Sequence, residues 1–169
     1  VKWLRRLELA DRPFMTREET SKYTDPLGDG DTMRQFSFVM DARSIITDPA
    51  YPRVIEPGWH EIRGLAWSGR GRITRVDIST DAGTTWHPAD LQAPVLPKAH
   101  VRFRYLWNWP GGNAEIMSRA TDETGYVQPT WEVLREARGP RTRYHQNPIT
   151  SWTVGDDGRV LFGAERLQS

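Results

Sequence analysis

In VRFRYLW, residues 101–107, apolar and basic side chains alternate without a fault: Val101, Phe103, Tyr105 and Trp107 against Arg102 and Arg104. That period of two predicts a strand with one face buried. HEIRGLAW, residues 60–67, is less pure. Ile62, Gly64 and Ala66 share a face, while Leu65 and Trp67 put apolar groups on the other, so both faces are expected to be partly covered. In RITRVDIST Val76 and Ile78 share a face with Thr74 and Thr80, and Arg75 and Asp77 are read as facing solvent. Ile73 breaks the parity, which predicts a bulge or a strand end there.

The joins are turn-like. DAGTT places Gly83 where a short hairpin loop wants a left-handed residue, and Trp86 enters the return strand. WPGGN is a turn, AEIMSRATDETGYVQP a strand and turn that Pro129 stops, and TWEVLREAR one or two helical turns or a covering loop. TSWTV and DDGRVLF read as a terminal hairpin turning at Asp157-Gly158. Upstream, QFSFVMDARSII predicts a strand over 35–46, ended by Pro49, Pro52 and Pro57. Short strands, frequent turns and no long helical period predict an all-β, immunoglobulin-like sandwich without its disulfide.

Residues 1–35 are different. VKWLRRLEL is short and apolar-basic; TREETSKYTDPLGDGDT is polar, broken at Asp25-Pro26 and Gly28-Asp29-Gly30. Thr16 with Glu19 fits a capping box for a single turn. With so few apolar residues this extension must pack on a neighbour, giving two segments, 1–35 and 36–169. The chain opens Val1-Lys2-Trp3-Leu4, with neither an initiator methionine nor a signal-peptide pattern, and is expected to start within a larger protein.

Composition narrows the chemistry. A net charge of +1 argues against a general grip on nucleic acid or an anionic membrane, and no apolar run approaches the roughly 20 residues of a membrane helix. The 169 residues include no cysteine, which removes disulfides, zinc thiolates and cysteine nucleophiles. Lys2, Lys22 and Lys98 are the only lysines among 23 basic residues, beside 8 tryptophans. Such a bias fits a GC-rich genome as well as it fits interfaces built from planar guanidinium groups.

His60, His87, His100 and His145 lie too far apart for a local metal motif and read as isolated surface or turn residues. Trp67-Ser68-Gly69 lacks the first glycine of a nucleophile elbow, and no helix pattern or Walker lysine follows Gly69-Arg70-Gly71. Glu18-Glu19, Asp122-Glu123 and Asp156-Asp157 sit in turn-like text, where acidic groups cap and solvate. Arg70, Arg72 and Arg75 either solvate a strand face or meet an acidic partner; Arg70 and Arg72, in the glycine loop, are the interface candidates.

Several motifs in fixed order carry a resemblance. VKWLRR, GLAWSGRGRITRVDISTDAGTTW and SRATDETGYVQP resemble the C-terminal dimerisation domain of sulfite-oxidase-family molybdenum enzymes. MTREETSKYTD, RFRYLWNWPGG and YHQNPITSWTV carry a narrower resemblance, to the molybdenum subunit of sulfane dehydrogenase in the thiosulfate-oxidising Sox system. The resemblance implies an immunoglobulin-like (E-set) dimerisation domain at 36–169, with 1–35 left from the end of a preceding molybdopterin domain. It implies a periplasmic homodimer that oxidises sulfane sulfur or sulfite, with electrons passing to a cytochrome c subunit and the sulfur substrate on a carrier protein. The family's molybdenum-ligating cysteine would lie upstream, so this chain would hold no metal, carry no catalytic residue and be inactive alone.

Lys2, in VKW, resembles a residue at the edge of the molybdopterin site. The substrate-pocket arginine of the family's Asn-x-Trp-x-Arg-Val pattern has no match in Asn147-Pro148-Ile149-Thr150-Ser151-Trp152. That departure favours a carrier-bound sulfur substrate over sulfite. The competing reading is a free-standing immunoglobulin-like module that binds carbohydrate or protein through exposed Trp107 and Trp109. Burial of those two rings would remove its main support.

Overall fold

The computed structural model describes residues 1–27, 33–142 and 144–163. β1 (Thr24–Pro26) and β2 (Arg34–Phe36) form a small ribbon after a helical turn at Glu18–Lys22. Then come β3 (Arg43–Asp48), β4 (Gly58–Trp67), β5 (Ile73–Ser79), β6 (His87–Pro88), β7 (Asp90–Gln92), β8 (Val101–Trp109) and β9 (Ala114–Asp122). The helix α1 (Trp131–Arg138) precedes β10 (Ser151–Val154) and β11 (Val160–Phe162). A four-stranded sheet, β3-β4-β8-β7, faces a five-stranded one, β11-β10-β9-β5-β6, and every pairing is antiparallel. This is an immunoglobulin-like sandwich.

The alternations explain which faces meet. Val101, Phe103, Trp107 and Trp109 of β8 point inward with Ile62 and Ala66 of β4, against Val76 and Ile78 of β5, Ile116 and Ala120 of β9, and Val154 and Val160. Gly64 sits between the Ile45 carbonyl and the Phe103 ring, where any Cβ would collide with both. The predicted irregularity in β5 is a register shift between Ile73 and Arg75. Gly83 is left-handed at φ +85°, as the turn requires.

TWEVLREAR forms two helical turns, with the Thr130 hydroxyl accepting from the Val133 N–H at 3.4 Å. The terminal hairpin pairs Trp152 with Phe162 and Val154 with Val160. At the first helical turn the capping pattern is half made: Thr16 Oγ1 accepts from the Glu19 N–H at 3.4 Å.

Two expectations are corrected here. QFSFVMDARSII is not one strand; it breaks between β2 and β3, where Phe38, Val39 and Met40 are exposed and Asp41 and Ala42 are buried. The break turns a carboxylate inward to meet three basic groups, which a continuous strand would not do. Asp77, read as solvent-facing, is buried at 3% exposure beneath two arginines: Arg75 Nε at 2.7 Å and Arg119 Nη2 at 3.3 Å. Paired this way, the carboxylate tolerates desolvation that a lone one would not.

Two polar side chains tie the sheets together. Gln128 Oε1 accepts from the Ser44 N–H and hydroxyl, both 2.8 Å, and from the Ala120 N–H at 3.2 Å, bridging β3 to β9. Its amide donates to the Pro148 carbonyl at 3.1 Å. Trp152 Nε1 donates to the Ile46 carbonyl at 3.0 Å, joining β10 to β3.

Candidate functional site

The loop from Ser68 to Arg72 leaves β4 and meets two other segments at one end of the sandwich. The Gly69 N–H donates to the Met40 carbonyl at 2.7 Å, an approach that a side chain at Gly69 would obstruct. The Ser68 hydroxyl donates to Asp122 Oδ2 at 2.7 Å, and the Arg72 N–H to Glu123 Oε1 at 3.0 Å. Asp122 also accepts from the Thr124 N–H and hydroxyl and from the Tyr126 N–H, so it organises the Asp-Glu-Thr-Gly turn. Burial pushes the Asp122 carboxyl up, but the bonds from Thr124, Ser68 and Tyr126 together carry it below the ordinary carboxylate range. The acidic pair therefore organises a turn, and the glycine loop is a strand-to-strand connection between β4 and β5.

Arg70 crosses from that loop to Asp41. The buried carboxylate takes Arg70 Nε at 2.5 Å, Arg138 Nη2 at 2.9 Å and, at 2.9 Å, His145 Nε2. One anion thus gathers the β4–β5 loop, the end of α1 and the segment before β10. The hydrogen bond and charge of Asp41 raise the pKa of Arg70. His145 is lowered from 6.5, mainly by burial and then by Arg138, with Asp41 opposing.

His145 corrects the expectation of surface or turn histidines, because it is only 5% exposed and part of this cluster. His87 and His100 are exposed, as expected, and His60 is half-buried, and each lies beside an aromatic ring. His60 lies 6.4 Å from Trp107, His100 5.0 Å from Trp67 and His87 6.3 Å from Tyr105, ring to ring.

A second buried carboxylate anchors the extension. Asp25 accepts from the Thr142 hydroxyl and from the Tyr144 and His145 N–H groups, each at 3.0 Å. The ribbon therefore packs on the sandwich through the same segment that supplies His145. By contrast, residues 1–17 are exposed throughout, Lys2 among them. Gly28-Asp29-Gly30 lies outside the described residues.

The interface candidates separate. Arg72 is exposed, whereas the half-exposed Arg70 is already committed to Asp41. Trp107 and Trp109 are 7% and 2% exposed, and Trp109 Nε1 donates to the Gly112 carbonyl at 3.2 Å. That burial removes the feature on which the free-standing binding module rested. Sequence reasoning missed Asp41, Asp25, Arg138 and Gln128. Only the acid within an apolar run at Asp41 gave any signal.

A groove of about 720 Å³ lies over the outer face of β9, lined by Trp86, Met117, Trp131, Ile149 and Phe162. Arg119 stacks over Trp86 at 4.3 Å within it. For molybdenum the donor set is unsuited. The chain has no thiolate, and among the described residues no three His, Asp or Glu side chains converge.

A family model described as the Mo-co oxidoreductase dimerisation domain matches residues 34–151. Sulfite oxidase of Gallus gallus is 33% identical over 141 residues, covering 76% of this chain and 31% of that protein. Mitochondrial sulfite oxidase of Drosophila melanogaster is 33% identical over 161 residues, covering 82% and 28%. A crystal structure of the sulfane dehydrogenase SoxCD from Paracoccus pantotrophus superposes with a TM-score of 0.86 and 48% identity. That match covers 96% of this chain and 42% of the other. The chain spans less than a third of these two curated relatives.

Proposed function

Because the chain belongs to the Mo-co oxidoreductase dimerisation domain family, we propose that it is the assembly module of a periplasmic molybdenum-dependent dehydrogenase acting on sulfane sulfur. It is not itself catalytic. The molybdenum ligand and molybdopterin belong to a preceding domain, of which residues 1–35 are the end, and electrons leave to a cytochrome c subunit. The observation that carries this reading is the likeness to the SoxCD chain over 96% of the length at 48% identity.

The chain's own residues do structural work in this reading. Asn147 and Trp152, the asparagine and tryptophan of the text compared with the sulfite oxidase pattern, are spent on internal bonds: Asn147 Nδ2 to the Ala42 carbonyl and Trp152 Nε1 to that of Ile46. A carrier-bound sulfane substrate fits a pocket without that arginine better than free sulfite does. Lys2, exposed at the start of the chain, is free to reach the cofactor's edge in the neighbouring domain. Arg72 is available to a partner surface.

A two-fold dimer needs one self-complementary patch, and the apolar groove of Trp86, Met117, Trp131 and Phe162 supplies the apolar area for a second copy of the chain. The enzyme reading is tested in the full-length protein by following cytochrome c reduction with carrier-bound sulfane sulfur and with sulfite. Turnover of the sulfane substrate is expected; turnover of sulfite alone would overturn the assignment. Trp131→Glu should convert the dimer to monomer, and a Trp131→Glu protein that stays dimeric would move the interface elsewhere.

A further inference from the structure

Beside the Asp41 cluster lies a smaller cleft of about 220 Å³, lined by Gln35, Ser37, Phe38, Arg70, Arg138 and His145, together with Phe36 and Val39. Its chemistry is unbalanced. Two guanidinium groups face it, and the carboxylate that both of them contact, Asp41, is shared between them. The Asp41 contact of Arg70 is made through Nε, and the rest of that half-exposed side chain is free for another acceptor. Arg138 Nη1 has only a long contact, 3.5 Å, to Gln35 Oε1.

One polar atom of the lining is also orphaned: Ser37 Oγ is buried without any hydrogen-bond partner. His145, 5% exposed, is already paired with Asp41 through Nε2 at 2.9 Å. A buried hydroxyl left in this way costs free energy that a ligand would recover. The rings of Phe36 and Phe38 stack 5.1 Å apart beside the cleft, lowering the dielectric around it.

We propose that this cleft binds a small tetrahedral oxyanion of sulfate or phosphate size, held by Arg70 and Arg138 and by the Ser37 hydroxyl. Guanidinium forks match oxyanion edges, and charge-assisted bonds to such groups are the strong ones. The proposal rests on the cleft's own lining and does not depend on the enzyme reading. It would couple anion binding to the cluster that joins the β4–β5 loop, α1 and the segment before β10.

The test is isothermal titration calorimetry of the chain with sodium sulfate, sodium phosphate and sodium acetate in turn, each at constant ionic strength set with chloride. Saturable sulfate or phosphate binding with one site per chain is expected. Ser37→Ala removes an unsatisfied hydroxyl, so it should fold normally and bind about tenfold more weakly. Arg70→Met should abolish binding; because it also strips Asp41 of a partner, the Ser37 variant carries the conclusion if it fails to fold. Arg102→Ala, at an exposed position on β8, should bind as the parent does.

No saturable heat with any anion would overturn the proposal. So would equal losses in the Ser37 and Arg102 variants. Acetate bound more tightly than sulfate and phosphate would show a carboxylate site and refute the tetrahedral assignment.

Discussion

Replacing Gln128 by leucine removes hydrogen bonds while nearly preserving volume. In the parent, Gln128 is 1% exposed and its Oε1 is the acceptor for the Ser44 and Ala120 N–H groups, one from each sheet. Leucine leaves both donors buried and unpaired, at about 1–3 kcal/mol each. The Ser44 hydroxyl and the Pro148 carbonyl also lose their partner, but a hydroxyl rotates and a carbonyl has a second lone pair, so these add less.

A loss of about 4 kcal/mol follows, a large part of the roughly 5–15 kcal/mol available to a typical domain. At about 2–4 °C per kcal/mol for a chain of this size, the melting midpoint should fall by about 8–16 °C. Urea unfolding followed by tryptophan fluorescence measures the loss directly, and the slope against urea should be unchanged if only stability has moved. A loss below about 1 kcal/mol would refute the claim that Gln128 is a structural bridge between the sheets. Ser44→Ala, which keeps the backbone N–H donating to Gln128 Oε1, should cost only about 1 kcal/mol.

Other outcomes follow from the same structure. Asp41→Asn leaves Arg138 and His145 beside a neutral amide and should cost about 2–4 kcal/mol in urea unfolding; it falls below the usual buried-pair range because Arg70 is half exposed. His145 has a folded-state pKa below 6.5, so between the two values the unfolded chain holds the extra proton. Its contribution is therefore complete above about pH 6.5 and is lost as pH falls toward the folded value. His145→Gln should flatten that limb of the stability-pH curve, and an unchanged limb would exclude His145 as its source. Gly64→Ala drives a Cβ into the Ile45 backbone and the Phe103 ring and should cost about 3 kcal/mol or more, whereas Gly71→Ala meets only the exposed Glu123 side chain, which can move aside by giving up its bond from the Arg72 N–H, and should cost about 1 kcal/mol. Thermal melts of the two variants in parallel decide whether that contrast holds.

The sandwich was legible where burial follows a simple period. Val101, Phe103 and Trp107 sit inside because their strand has one wet face, and the parity break at Ile73 marks a true shift of register. Periodicity failed at Asp77 and across 37–42 because hydrophobic alternation assumes that charges face water. A carboxylate met by arginines from other strands or loops escapes that assumption: Arg119 is 42 residues from Asp77, Arg138 is 97 residues from Asp41 and His145 is farther still, so no local pattern announces them. The family motifs pointed to the right architecture. The ionic cluster itself, being made from four separated segments, appears only when the chain is folded.

The central claim is that this domain assembles subunits. Light scattering of the chain across a range of concentrations tests it most directly, since molar mass reports association without reference to any activity. The account predicts twice the chain mass, with dissociation only on dilution. A mass of one chain at every concentration would contradict it.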